Sequence, residues 1–391
     1  MKKKYKILFI QPIEAFSGSL KSSEEYIKDL KKKFIFIFFT PNGFSSRTLN
    51  KYGKVFTSLG ICKYDNTENS HYRGLRWILL IREVIYFVFT IFALLRIKMY
   101  SKEIDLIHLN EITGLPTAIF AKLLFKKPLI VHVRSLNYKR NNKFSKFYLK
   151  AINKFADKIL VIDKDVLDTI NIKKKTIILR NIIDLKINAS LKNNFKKRIS
   201  LRVGYIGTFL KYKGVEKLIN ATENLIKNGY KIELFLAGSI IRRNIVLKKI
   251  YQIFNVDSNI NENLLNKSFI KNLGFVKNIK YFYEKIDILC FPSSLNSTGR
   301  QIFEAGMFSK PVITCLKRNK NDGVIDKFNG LIYDDFFSIK KLQKKIIFFY
   351  NNRNLIKAMG INGKKLAIKR NSKNNNIKKL NNLYLSLIKN S

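Results

Sequence analysis

The chain has 391 residues, 46% of them hydrophobic and 13% aromatic, which excludes a disordered polypeptide and leaves room for two domains with separate cores. Its 75 Lys and Arg face only 27 Asp and Glu, a formal net charge of +48 that favours polyanions or anionic membranes as partners. Lysine comes with abundant Asn and Ile and only 6 Pro, the look of an AT-rich coding sequence, so much of that charge is compositional.

Strands are expected at Lys6–Pro12 and Phe34–Thr40, with a helix at Ser22–Leu30 between them. Met1–Lys6 runs directly into the first strand and is too short for a signal-peptide core, so a cytoplasmic chain is expected. Val84–Leu95 carries no charge but is too short to span a bilayer; it reads first as a buried helix and second as an interfacial one. A strand at Asp105–Leu109, a helix at Leu115–Leu124 and strands at Pro128–Val133 and Lys158–Ile162 continue the series. In Lys143–Phe155, an aromatic and aliphatic stripe at helical spacing runs beside Lys143, Lys146, Lys150 and Lys154. Core packing with lipid contact at its edge follows, and with it a peripheral position on an anionic inner-membrane surface.

The polar stretch Lys186–Ser200 reads as an interdomain linker. The pattern then restarts, with strands at Leu201–Ile206, Ile232–Ala237, Phe269–Leu273, Ile286–Phe291, Pro311–Cys315 and Leu331–Tyr333, and a helix at Val215–Asn228. The tail, Asn374–Lys389, is helical. The fold class is therefore α/β, with two Rossmann-like domains over 1–190 and 200–372, ligands at the carboxyl ends of parallel strands, and a final helix within 373–391. Cys62, Cys290 and Cys315 are an odd, scattered set, which argues for a reducing compartment and against a disulfide framework.

Two segments carry chemistry. In Phe291–Ile313 a strand ends, Ser297, Thr298 and Gly299 offer unpaired N–H groups where a helix begins, and Arg300 follows. Such a helix start favours anions. Glu304, a turn further, suits a sugar diol, and Lys310-Pro311 ends the helix. In Gly204–Val215 a strand ends at Gly207-Thr208 and Lys213-Gly214 opens a helix, a point charge and a close backbone approach for a pyrophosphate. Taken alone, that second block is better read as a surface lysine after an ordinary strand–helix turn; coupled with the downstream segment, the phosphate reading leads. A phosphate seat beside a diol clamp is what a nucleotide ligand needs.

Both segments resemble glycosyltransferase family 4, the group 1 glycosyl transferases, which have the GT-B fold. Pro292-Ser293, Gly299, Glu304-Ala305 and Lys310-Pro311-Val312-Ile313 match its signature, and Lys213-Gly214 its phosphate loop. The signature's first glutamate falls at 304 − 8 = 296, where this chain has Asn296, and the loop's arginine falls on Thr208. The resemblance implies two domains facing a central cleft, with the final helix crossing back to the first. It also implies transfer of a sugar from a nucleotide-sugar donor to a hydroxyl acceptor, with retention and without a metal or other cofactor. Gly207, Thr208, Lys213, Gly274, Asn296, Ser297, Thr298, Gly299, Arg300 and Glu304 would then bind the donor. His132, at a strand end, would contact the donor sugar, or be a satisfied strand histidine. Gly18, Ser19 and Arg134 would lie on the acceptor side, the acceptor being a lipid-linked or cell-surface glycan. Asn296 keeps hydrogen bonding without charge, which implies a different donor sugar or reduced activity.

Other readings are weaker. Neither His71, His108 and His132 nor the cysteines have metal-ligand spacing. Asp163-Lys164-Asp165 matches an Asp-x-Asp metal motif, but Asp163 sits where it would cap a helix. A nucleic-acid-binding protein would suit the charge, yet the lysines are spread and no module is present, so no nucleic acid is expected. A sugar-nucleotide epimerase of the same fold is the nearer alternative.

Overall fold

The structure, a computed structural model, describes residues 4–65, 80–137, 143–183, 199–240, 259–295, 298–317 and 321–391. The chain divides into two compact units, Met1–Asp184 with Ser372–Ser391, and Leu185–Asn371. Most of the expected linker, together with His71, Asn296 and Ser297, lies outside the described residues.

The first unit is a seven-stranded parallel sheet in the order β3-β2-β1-β4-β5-β6-β7. Its strands are β1 Tyr5–Ile10, β2 Phe34–Pro41, β3 Lys54–Ser58, β4 Leu106–Leu109, β5 Leu129–Val133, β6 Lys158–Val161 and β7 Thr176–Ile178. The central strands β1, β2, β4, β5 and β6 are near-continuous apolar runs covered on both faces, whereas the edge strands β3 and β7 are only partly covered. Leu8, Ile10, Leu109, Val131 and Val161 pack one way, against helices α3 Leu80–Tyr100, α4 Leu115–Phe125 and α5 Lys143–Phe155. Alternate residues, Ile7, Phe9, Leu106, Ile130 and Leu160, pack the other way, against α1 Gly18–Leu30. The short helices α2 Phe44–Leu49 and α6 Lys164–Ile170 complete the connections. Asp163 caps α6, its Oδ1 accepting from Val166 N at 2.8 Å.

Three aspartates work at the opposite end of the sheets from the site. Asp105 accepts from Lys6 N at 2.6 Å, Asp157 from Leu129 N at 2.7 Å, and Asp287 from Arg202 N at 2.9 Å. Each satisfies an N–H at the start of a neighbouring strand, so these aspartates clamp the sheet ends.

One expectation is corrected. Val84–Leu95 lies in α3, but only one side of that helix is buried, through Ala93, Leu94 and Ile97. Val84, Val88 and Phe92 are 68%, 49% and 62% exposed. Uniform hydrophobicity round the helix hid which side would be covered.

The second unit is a six-stranded parallel sheet in the order β10-β9-β8-β11-β12-β13. Its strands are β8 Leu201–Ile206, β9 Ile232–Ala237, β10 Ile270–Asn272, β11 Ile288–Phe291, β12 Val312–Cys315 and β13 Gly330–Tyr333. Val203, Tyr205, Leu234, Ile288 and Ile313 face the core with α7 Val215–Lys227 and, later in the chain, α10 Ile339–Asn351. Phe235, Leu289, Phe291 and Val312 face the core with α8 Ile279–Lys285 and α9 Arg300–Met307. Helix α11 Arg353–Asn371 closes against α9 at paired glycines: a Cβ on Gly306 would come within 2.7 Å of Gly363 O.

Helix α12, Lys373–Lys389, belongs to the first unit. Leu380, Leu383 and Tyr384 enter its core beside α1. Lys373 pairs with Asp29 at 3.1 Å, and Lys379 Nζ donates to Ile178 O at 2.8 Å. The three cysteines are buried and free.

Candidate functional site

In each sheet the strand order reverses once, between β1 and β4 and between β8 and β11. Ligands of open α/β sheets bind at the carboxyl ends of strands at such a reversal.

In the second unit the loop after β8 carries Gly207 to Gly214 and the loop after β11 leads from Pro292 to Gly299. They are stitched together: Ser294 donates to Tyr212 O through its N at 2.9 Å and its Oγ at 3.0 Å. Gly214 has φ +78, and a Cβ there would lie 2.0 Å from Pro292 O, so no other residue fits. Tyr205 Oη donates to Thr208 O at 2.9 Å and fixes the loop's first turn. The backbones after β8, β9 and β10 lie in contact. A Cβ on Gly238 would come within 1.9 Å of Gly207 O, and Gly238 N donates to Gly274 O at 2.7 Å. Gly274 has φ +59 with open space beside it. Lys213 precedes α7; its side chain is half-buried, and burial pushes its ammonium pKa down. An ammonium held away from water gains most from an anionic ligand.

The residues around α9 are more enclosed. Gly299 caps the helix, and a Cβ there would lie 2.7 Å from the Phe291 ring. Thr298 is buried, and its Oγ1 has no hydrogen-bond partner among the described residues. Arg300 Nε donates to Glu304 Oε1 at 2.8 Å, with side chains 9% and 5% exposed. Tyr283, wholly buried and stacked on Phe308, donates to Gln301 O at 3.1 Å; burial first, and then the nearby Glu304 carboxylate, push its hydroxyl pKa up. Arg300 thus sits on the Glu304 carboxylate, one turn away on the same face. The helix ends at Met307, before Lys310-Pro311, with Ser309 left-handed at φ 54. Lys310 is buried at 1% exposure, its charge acting on Asp287.

In the first unit, Gly18 and Ser19 stand in the first turn of α1, which starts four residues ahead of the expected Ser22. Their N–H groups are among the four that no helix satisfies internally. Ser17 is the N-cap, its Oγ accepting from the next N–H along, Leu20 N, at 3.2 Å. Arg134 is the hub of a buried network. It donates to Asn110 Oδ1 at 3.0 Å, Asn181 Oδ1 at 2.9 Å and Tyr26 Oη at 2.9 Å, and lies 3.3 Å from His132 Nδ1. His132 is buried at 1% exposure on the α1 and α12 face, 5.5 Å from the His108 ring. His108 Nδ1 meets Tyr384 Oη at 2.6 Å. Burial, reinforced by Arg134, holds both imidazoles well below their usual pKa, so both are neutral.

Sequence reasoning passed over Asn110 and Glu111, which leave β4 at the reversal. Asn110 Nδ2 donates to Gln11 Oε1 at 2.5 Å, which joins the ends of β1 and β4. Glu111 is buried, accepts from Ile112 N at 2.9 Å and Ser135 Oγ at 3.0 Å, and burial raises its pKa to about 7. A polar pair directly after the apolar run Leu106–Leu109 was the available signal. Because the folded pKa exceeds the unfolded one, Glu111 favours folding below its unfolded pKa, and that contribution is lost as pH rises through about 7. Glu111→Gln is therefore expected to stabilise the fold at pH 8 by on the order of 2 kcal/mol and leave it unchanged near pH 4, measured by urea denaturation.

Among the described residues, no group of three His, Cys, Asp or Glu side chains could hold a metal ion, and no helix is long and apolar enough to cross a membrane.

Comparison with known proteins gives the class. Residues 187–366 match the family model described as Glycosyl transferases group 1. An uncharacterized glycosyltransferase of Methanocaldococcus jannaschii is 27% identical over 278 residues, covering 69% of this chain and 72% of that protein. The capsular polysaccharide biosynthesis glycosyltransferase CapM of Staphylococcus aureus is 26% identical over 213 residues, covering 54% of this chain and 51% of CapM. The crystal structure of Anabaena HepE in complex with UDP and glucose superposes with a TM-score of 0.74 at 17% identity, covering 98% of this chain and all of that one. Two parallel α/β sheets with these matches define a glycosyltransferase of the GT-B fold. Within that class the chain is similar to the group 1 glycosyl transferases over residues 187–366.

Proposed function

We propose that this glycosyltransferase takes a sugar from a nucleotide-sugar donor and places it on a hydroxyl of a lipid-linked or glycan acceptor, in the synthesis of a bacterial cell-surface polysaccharide or lipopolysaccharide. The observation that carries the donor reading is the assembly at the β8/β11 reversal, where Gly207, the half-buried Lys213 and the start of α9 share stitched loops. The Lys213 ammonium and the N–H groups at Thr208 and Gly299 would receive the diphosphate, with Gly207, whose own N–H is held by Ala237 O at 2.9 Å, shaping the turn beside them. Glu304, held by Arg300, would take the ribose hydroxyls.

The leaving diphosphate is stabilised by these groups rather than by a metal, and the acceptor attacks from the face it leaves, which retains configuration. Gly18, Ser19 and Arg134 would serve the acceptor side, Arg134 by ordering Asn110 and His132. CapM supports the polysaccharide setting, and HepE with UDP and glucose supports a UDP-sugar as the first donor to test.

A thermal-shift screen against UDP-, GDP- and ADP-sugars is expected to raise Tm by about 3–6 °C for one base at a hundredfold excess over Kd. No shift with any nucleotide sugar, together with steeply salt-dependent binding to duplex DNA, would overturn the reading. Conversion of a bound donor to its epimer without acceptor would replace transfer by epimerisation.

A further inference from the structure

We propose that the outward face of α3 docks on an anionic lipid bilayer. Ile81, Ile85, Val88, Phe92, Leu95 and Met99 recur at spacings of three and four, which puts them in one row along the helix. All six are exposed, from 40% at Leu95 to 82% at Met99. The opposite side, Ala93, Leu94 and Ile97, is buried against the sheet, so the row points away from the core. At 21 residues the helix runs about 31 Å, and an apolar strip of that length exceeds what single exposed hydrophobic residues explain. Phe120 of α4 packs edge-on against Phe87 at 5.9 Å, and Leu123 of α4 extends the surface at 60% exposure.

Charge decides what covers it. Arg82, Arg96 and Lys98 are exposed on α3. Glu83, the one acid of the helix, is buried and turned inward, accepting from Lys63 N at 2.9 Å and Arg82 at 2.6 Å. A row of apolar side chains beside cations and without exposed acids suits anionic headgroups above acyl chains. With a net charge of +48, a second copy of the chain would bring like charges together. No helix among the described residues is long and apolar enough to cross a membrane, so α3 would lie in the interface plane.

This inference does not rest on the donor reading, because binding to vesicles is measured without nucleotide or acceptor. The test is flotation of the full chain with phosphatidylcholine–phosphatidylglycerol vesicles and with phosphatidylcholine alone. The wild type should float with the anionic vesicles. Val88→Ser/Phe92→Ser/Leu95→Ser should cut the partition coefficient about tenfold or more, with unchanged Tm since all three side chains are exposed. Equal flotation of the triple variant would show that spread lysines alone bind lipid, and would overturn the docking face. So would a wild type that stays with the soluble fraction, or one that sediments as a dimer which the triple variant dissolves.

Discussion

Lys213→Met is expected to lower kcat/KM for sugar transfer by about 10²- to 10³-fold while leaving Tm unchanged or slightly raised. The loss follows from place: Lys213 is a half-buried cation in the loop at the β8/β11 reversal, where a diphosphate would lie. Charge that develops on the leaving group there meets a partner already positioned. Stability should not follow activity, because burial works against the ammonium in the empty protein.

Its folded pKa lies below the unfolded one, so the group opposes folding at neutral pH. That opposition disappears as pH rises from the lowered value toward the usual lysine range. The donor KM should accordingly climb on the alkaline side earlier than a solvent-exposed lysine would dictate, and that limb should vanish in the variant. Steady-state kinetics with the donor found by thermal shift gives both readings. A variant with wild-type kcat/KM would remove Lys213 from the site.

Much of this molecule can be read locally. Central strands such as Leu201–Ile206 and Ile232–Ala237 are apolar on both faces, and their ends are marked by Gly207 and Gly238, so sequence and structure agree there. The edges were harder. β3, Lys54–Ser58, is polar and mostly uncovered, and β7, Thr176–Ile178, is three residues after a lysine triplet; neither carries the apolar signal of a covered strand. Burial of α3 was not legible either, because what packs against a helix is a tertiary fact. The proposed donor-side groups are residue types at short spacing, so Lys213-Gly214 and Glu304 stand out as candidates in the chain itself. The first unit's network could not. It joins Gln11 to Asn110 across 99 positions and His108 to Tyr384 across 276, and no local pattern encodes such pairs. His132 read as a strand-end group, whereas β5 carries it into the layer beneath α1 and α12, beside His108.

Glu304→Ala is expected to destabilise the fold by about 3–5 kcal/mol and to abolish detectable donor binding. The reason lies in what the carboxylate leaves behind. Arg300 Nε is 2.8 Å from Glu304 Oε1, with both side chains under a tenth exposed, so alanine strands a buried guanidinium. Glu304→Gln separates the two effects. The amide oxygen still accepts from Arg300, so most stability should return, while a neutral group binds a sugar diol less well than a carboxylate. The double replacement Arg300→Met/Glu304→Gln removes the buried cation too and should recover further stability without recovering donor affinity. Chemical denaturation and calorimetric donor titration of the three variants decide the matter. If Glu304→Gln binds donor as the wild type does, the carboxylate is a structural partner of Arg300 and the ribose contact belongs elsewhere in the second unit.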